Sequence, residues 1–315
     1  MFQRTLLSAL LLACASAASH AADVTLVDKV GQCPNASPAG MRPDEVALFR
    51  QLQIRGAQSM QDVTRVYYGE GLDQYGDLRL PKGTGPFPLA IVVHGGSWKA
   101  SVNSDYTAPV AKLLTDPGSA TWNIEYSRLG SGGEWPGSFK PVAAAADYVR
   151  VLAERYPIDL KRVISIGHSS GGHYVRWLAG RHKLNAAAPG YAPTPLKLVG
   201  VVSLDGTPDL RAFAALPRGK TVIPELLNSG ADPQWEKNYA VASPVDLLPL
   251  GVPQYFLTQE SDRLASIMSY MEKGKQGGDT MTYDIACPSS HFVTADTQSP
   301  AIAGAIVKAS KAFVK

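Results

Sequence analysis

The chain has 315 residues, with 30 Lys and Arg against 27 Asp and Glu, a formal charge of +3. A surplus that small, scattered along the chain, is no footprint for nucleic acid. Hydrophobic residues at 45% and charged residues at 18% exclude disorder, collagen and coiled coil as whole-chain descriptions, and three cysteines are too few for a disulfide scaffold.

Residues 1–21 have the order of an export signal. Arg4 supplies the positive start, residues 5–13 a short apolar run, and Ala15-Ser16-Ala17 and Ser19-His20-Ala21 two small-residue cleavage sites, with cleavage expected after Ala21. The run is too short to cross a bilayer, and no other segment has about 18 uninterrupted apolar residues. The chain is therefore expected to be exported, to a periplasm or the exterior, without a membrane span. A lipid anchor at Cys14, in Leu11-Leu12-Ala13-Cys14, is the second reading. Without the signal, Cys33 and Cys287 remain. In an oxidising compartment they can pair and tie the N-terminal arm to the loop before His291; two separate thiols are the other reading. Asn35-Ala36-Ser37 is a glycosylation sequon.

An N-terminal arm over 22–60 contains a short helix at 43–55, with Asp44 and Glu45 in its first turn, where the helix dipole favours negative charge. From 61 to 315 the pattern alternates strand and helix. Residues 63–68 and 76–80 read as a hairpin. Residues 89–93 are a continuous apolar run, expected of a strand buried on both faces. A helix at 104–114, a strand at 120–126 and an alanine-rich helix at 141–156, ended by Pro157, follow. Then come a strand at 162–166, a helix at 170–181, strands at 198–204, 254–257 and 281–285, and a closing helix at 300–314. This βαβ alternation predicts an α/β fold with a mostly parallel central sheet flanked by helices. Residues 207–252, between two core strands, are expected to form a small cap insertion.

Gly167-His168-Ser169-Ser170-Gly171 lies between a predicted strand and a predicted helix, the setting of a nucleophile elbow. Such a turn presents Ser169 at the sheet edge, and glycines 167 and 171 leave room for neighbouring backbone. The helix N-terminus behind Ser169 favours developing negative charge. His94-Gly95-Gly96-Ser97-Trp98 follows another buried strand, where glycines let backbone amides face a reacting carbonyl. The amides of Gly96 and Ser97, with Gly95 as an alternative, and that of Ser170 are the expected oxyanion donors. His94 orders the loop. A serine hydroxyl needs a base. Of the six histidines, His20 lies in the signal, His94 and His168 in the motif loops, and His173 and His182 on the helix after the elbow, where packing or surface roles are usual, which leaves His291 in Pro288-Ser289-Ser290-His291-Phe292. The imidazole needs a carboxylate. Asp262, in Glu260-Ser261-Asp262 after a core strand, is the first choice, with Glu260 as the near alternative. Asp205 and Asp209 are read as turn or helix caps. Trp98, Trp122, Trp135, Tyr126 and Tyr191 are candidates for an aromatic pocket, with plain packing as the other reading.

These residues resemble the α/β-hydrolase family, in its esterase/lipase-like branch with an HGGxW loop, alongside feruloyl-esterase-like, kynurenine-formamidase-like and prolyl-oligopeptidase-like hydrolases. HGGSW at 94–98, WNIEYSRLGSGGEWPG at 122–137, GHSSGG at 167–172, ESD at 260–262 and SSHF at 289–292 carry the resemblance. The sequence departs at Phe139-Lys140-Pro141, where relatives often have an aspartate, and at Ser170, where alanine is usual. The resemblance implies a serine hydrolase that cleaves a small-molecule carboxylic ester through an acyl-serine, with no cofactor. No metal-ligand spacing is apparent in the sequence either. An amidase, formamidase or peptidase on the same residues, and a non-catalytic binding module on this fold, are the competing classes.

Overall fold

The computed structural model describes residues 24–33 and 43–315. The export signal, Cys14 and the sequon at Asn35 lie outside the described residues. In chain order the strands are β1 (Thr25–Val27), β2 (Thr64–Tyr67), β3 (Tyr75–Arg79), β4 (Phe87–Val93), β5 (Ala120–Ile124), β6 (Ile158–His168), β7 (Gly200–Leu204), β8 (Gln254–Thr258) and β9 (Met281–Cys287). The helices are α1 (Pro43–Gln58), α2 (Ala108–Thr115), α3 (Phe139–Asp147), α4 (Val149–Ala153), α5 (Ser170–Gly180), α6 (Leu210–Ala214), α7 (Gly219–Leu226), α8 (Tyr239–Ala242), α9 (Leu264–Gln276) and α10 (Pro300–Phe313). The strands form one sheet in the order β1-β9-β8-β7-β6-β4-β5-β3-β2. From β5 across to β9 the neighbours are parallel, and β1, β2 and β3 pair antiparallel at the two ends.

The parallel strands are apolar because both faces are covered. Side chains alternate across the pleat. Leu89, Ile91 and Val93 of β4 join the core under α3, α4 and α5, while Ala90 and Val92 join the opposite core under α2 and α10. The fold is the expected α/β sheet sandwiched by helices. Two predicted helices are more broken than their composition suggests. The stretch 104–114 starts as a 3-10 turn (Ser104–Thr107) before α2, and 141–156 divides at Tyr148 into α3 and α4. β1 and α9 are additions to the predicted elements. α9 presents Leu264, Ile267, Tyr270, Met271 and Gly274 inward, an i, i+3, i+7 stripe. Residues 207–252 carry α6, α7 and α8 and pack on α5 and the HGG loop: Trp177 Nε1 donates to the Val241 carbonyl at 2.9 Å, and Phe213 packs against Trp98.

Cys33 and Cys287 form a disulfide with their Cα atoms 5.4 Å apart. β1 pairs beside it, Thr25 opposite Cys287. The arm is thus tied to the strand that leads into the His291 loop. Cross-linking residues this distant restricts the unfolded chain, an effect of about 2–4 kcal/mol. The double Cys33→Ser/Cys287→Ser variant is expected to unfold at lower urea than the wild type, by that margin. Equal midpoints would show that the bond adds nothing to stability.

Candidate active site

β6 ends at His168 and α5 begins at Ser170, so the chain reverses through Ser169, which has φ 57° and ψ −121°. A non-glycine residue there is strained, by about 1–3 kcal/mol, and persists only where its surroundings enforce it. They do so by close backbone packing. A Cβ on Gly171 would stand 2.0 Å from the Val93 carbonyl oxygen, and one on Gly167 would stand 2.4 Å from that of Gly171. A Cβ on Gly172 would meet the Cα of Gly206 at 2.6 Å. The elbow therefore fits tightly against the ends of β4 and β7, and Ser169 is left half-buried at the sheet's carboxyl rim.

His291 comes to this rim on the loop after β9. Its Nε2 lies 2.9 Å from Ser169 Oγ. Its Nδ1 lies 2.6 Å from Oδ2 of Asp205, which is fully buried just after β7. The sequence choice of Asp262 is corrected here. Asp262 is exposed on the turn into α9, and Glu260 accepts the Gly31 amide at 2.6 Å, turned toward the arm. Neither is bonded to His291. The reason is local. On the turn after β8 it is Arg263 that faces inward, its Nη2 2.8 Å from His291 Nδ1, while Asp262 faces solvent, and the carboxylate comes from the end of the neighbouring strand β7. Asp209 does act as a cap, accepting the amides of Arg211 and Ala212 at the start of α6.

Asp205 is held from several sides. Thr258 Oγ1 donates to Oδ1 at 2.9 Å, Gln259 Nε2 donates to Oδ2 at 2.9 Å, and Arg263 Nη2 donates to the same Oδ2. Arg263 Nη2 is also 2.8 Å from His291 Nδ1. Burial alone would raise the Asp205 carboxyl, but Arg263, His291 and Gln259 hold it well below the usual carboxylate range. Burial and the Arg263 charge together lower His291, despite its bond to Asp205.

The HGG loop lies against the elbow: a Cβ on Gly95 would meet Ser169 Cβ at 2.7 Å. The Gly95 amide donates to Tyr106 Oη at 2.5 Å and is thereby removed from the alternatives for an oxyanion donor. The Trp98 amide donates to Ser170 Oγ at 3.3 Å, so the serine at the usual alanine position braces the loop. Among the described residues the amides of Gly96, Ser97 and Ser170 have no hydrogen-bond acceptor. His94 Nδ1 faces the Gly95 carbonyl at 2.7 Å and Nε2 faces Glu125 Oε1 at 2.8 Å. Glu125 also accepts the Ser104 amide and pairs with Arg128. Burial alone would raise its carboxyl, but His94, Arg128 and the Tyr126 amide lower it. Trp98, Trp122 and Tyr126 are buried packing residues. Sequence reasoning missed the places of Glu125 and Tyr106; the one signal was for Glu125, a charged residue directly after the strand stretch 120–124.

His168 Nε2 donates to the His291 carbonyl at 3.0 Å, and its Nδ1 faces Tyr106 Oη at 3.1 Å. His173 Nε2 donates to the Ala242 carbonyl at 2.8 Å. Burial pushes both rings from 6.5 down to about 3. Between those values the unfolded chain takes up protons that the folded chain refuses, so stability falls as the pH falls, by about 1.4 kcal/mol per pH unit for each ring. Thermal midpoints measured from pH 7.5 down to 4.5 are expected to drop steadily below pH 6.5. A flat profile would contradict buried neutral rings.

Among the described residues no group of three or more His, Cys, Asp or Glu is placed to hold a metal ion, and no helix is long and apolar enough to cross a membrane.

The BD-FAE family model matches residues 77–266. The non-reducing polyketide synthase mapC of Penicillium brevicompactum is 25% identical over 173 residues, which is 51% of this chain and 7% of that synthase; the chain thus spans only a small part of this curated relative. Among solved structures, esterase B from Lactobacillus rhamnosis has a TM-score of 0.68 at 15% identity, covering 86% of this chain and 96% of that one. A bacterial heroin esterase gives 0.66 at 20% identity, covering 86% and 91%. A truncated carbohydrate esterase from gut microbiota gives 0.63 at 20% identity, covering 79% and 95%. At these identities the likeness is one of fold, and the fold is that of the α/β-hydrolases.

Proposed function

Because the chain belongs to the BD-FAE family of α/β-hydrolase esterases, we propose that it is an exported serine esterase that cleaves carboxylic esters through an acyl-serine. The observation that carries this reading is the unbroken contact line from Ser169 Oγ through the His291 ring to buried Asp205, at 2.9 and 2.6 Å. In the proposed reaction Ser169 Oγ attacks the ester carbonyl while His291 Nε2 takes its proton. Asp205 accepts the Nδ1–H and stabilises the imidazolium. The unpaired amides of Gly96, Ser97 and Ser170 receive the oxyanion; losing one such donor typically costs about 2.7–4 kcal/mol of barrier. His291 then protonates the leaving alcohol and, in the second half, activates water to release the acid.

The substrates are small-molecule esters, an assignment favoured by the esterase names of the structural neighbours. Export is supported by the order of residues 1–21 and by the disulfide, since such bonds persist in oxidising compartments. The test is labelling of the full chain with a fluorophosphonate, peptide mapping, and turnover of p-nitrophenyl acetate beside p-nitroacetanilide. Label on Ser169 with ester turnover alone is expected. No label on Ser169 would return the binding-module reading, and amide turnover would return the amidase.

A further inference from the structure

The N-terminal helix α1 precedes the stretch that the family model matches, residues 77–266. It nevertheless reaches the centre of the site. Glu45, in its first turn, is 5% exposed, and its Oε1 accepts the backbone amide of His291 at 2.6 Å. The other main-chain group of His291 is held as well: its carbonyl accepts His168 Nε2–H and Thr294 Oγ1–H, both at 3.0 Å. One turn along the same helix face, Phe49 stacks on Phe292 with ring centroids 4.6 Å apart and planes at 25°. Further on, Leu52 is fully buried beside Tyr106 and Ala295, and Arg55 Nη1 donates to Asp296 Oδ1 at 2.6 Å. A Cβ on Gly56 would stand 2.2 Å from the Asp105 carbonyl, so the helix backbone lies directly on the 3-10 turn that carries Tyr106. Tyr106 in turn receives the Gly95 amide of the HGG loop. One helix therefore grips the His291 loop at four successive points, through Glu45, Phe49, Leu52 and Arg55, and braces the turn that supports the HGG loop.

We propose that Glu45 is a positioning residue for the reaction: its carboxylate fixes the main chain of His291 so that Nε2 stays on Ser169 Oγ, and α1 is a working part of the site. The inference rests on His291 acting as the base. A surface staple would not need a buried carboxylate on the amide of that one residue. The charged and titratable groups facing His291 are Asp205 and Arg263 from the loops after β7 and β8, His168 from β6, and Glu45 from α1. The Glu45 charge favours the imidazolium; Arg263 opposes it.

The experiment compares Glu45→Leu, Glu45→Asp and Glu45→Gln with wild type. Leucine removes the acceptor; aspartate keeps the charge but draws the acceptor back; glutamine keeps an acceptor oxygen without the charge. Glu45→Leu is expected to lower kcat for p-nitrophenyl acetate by about 10- to 100-fold, because small misplacements of a catalytic group have effects of that size. KM should hold, and the rate of fluorophosphonate labelling should fall in parallel. Glu45→Asp is expected to lose at least about fivefold in kcat, by the same misplacement. Glu45→Gln should recover most of kcat and shift the acid limb of kcat/KM to lower pH, since a charge favouring the imidazolium is gone. If Glu45→Leu does not fold, Glu45→Asp decides. Wild-type kcat and labelling in either variant, with only the melting temperature lowered, would reduce α1 to a structural strap and overturn the proposal. An unlabelled wild type would instead overturn the esterase reading beneath it.

Discussion

Ser169→Ala is expected to lower kcat for p-nitrophenyl acetate by about five to six orders of magnitude, the loss seen when a serine nucleophile is removed from such a triad. What remains should be the modest acceleration given by the oxyanion donors and by binding. The fold should persist. Among the described residues Oγ hydrogen-bonds only to His291, and the turn is enforced by backbone packing of Gly167, Gly171 and Gly172, not by the hydroxyl. Circular dichroism and the melting temperature should match those of the wild type. Turnover near the wild-type rate would remove Ser169 from the reaction.

The second large effect separates the two candidate acids. Asp205→Asn is expected to cost about ten-thousand-fold in kcat, because an amide cannot hold the imidazole in the tautomer with Nδ1–H or balance its charge. It should also destabilise the protein, by about 3–5 kcal/mol, since Arg263 would keep its charge in a buried site without its counter-ion. Asp262→Asn is the control. Its side chain is exposed, so both kcat and stability should stay near the wild type, within about 0.5 kcal/mol for the latter. Loss of activity in Asp262→Asn with an active Asp205→Asn would restore the sequence choice. Urea titration of both variants separates the chemical effect from unfolding.

The sheet was readable because its strands are buried on both faces, and a continuous apolar run as short as residues 89–93 suits a buried strand far better than a helix. The elbow and the HGG loop were readable because backbone crowding demands glycine at fixed offsets from Ser169, and that demand leaves a local mark. The acid was not readable in the same way. Leu204-Asp205-Gly206 has the look of a turn, and so it is: Asp205 has φ +46°, and Gly206 packs against Gly172. Its proposed second role depends on the loops after β6, β7 and β9 meeting at one rim, a fact of sheet order to which the local sequence is blind. Glu260-Ser261-Asp262 drew attention through motif likeness, yet the residue turned inward there is Arg263. Glu45 was noted only for the helix dipole, because its contact with His291 spans 246 positions of sequence.

Asp205 serves two cations, Arg263 and the imidazolium of His291, on one oxygen. A shared counter-ion gives each less than a private one would. The resting ring therefore resists a second proton, and in the proposed reaction it stays competent to take one from Ser169 in mildly acidic surroundings, where a free imidazole would already be charged. The same sharing makes the charged intermediate harder to form, so the arrangement trades peak basicity for tolerance of acid.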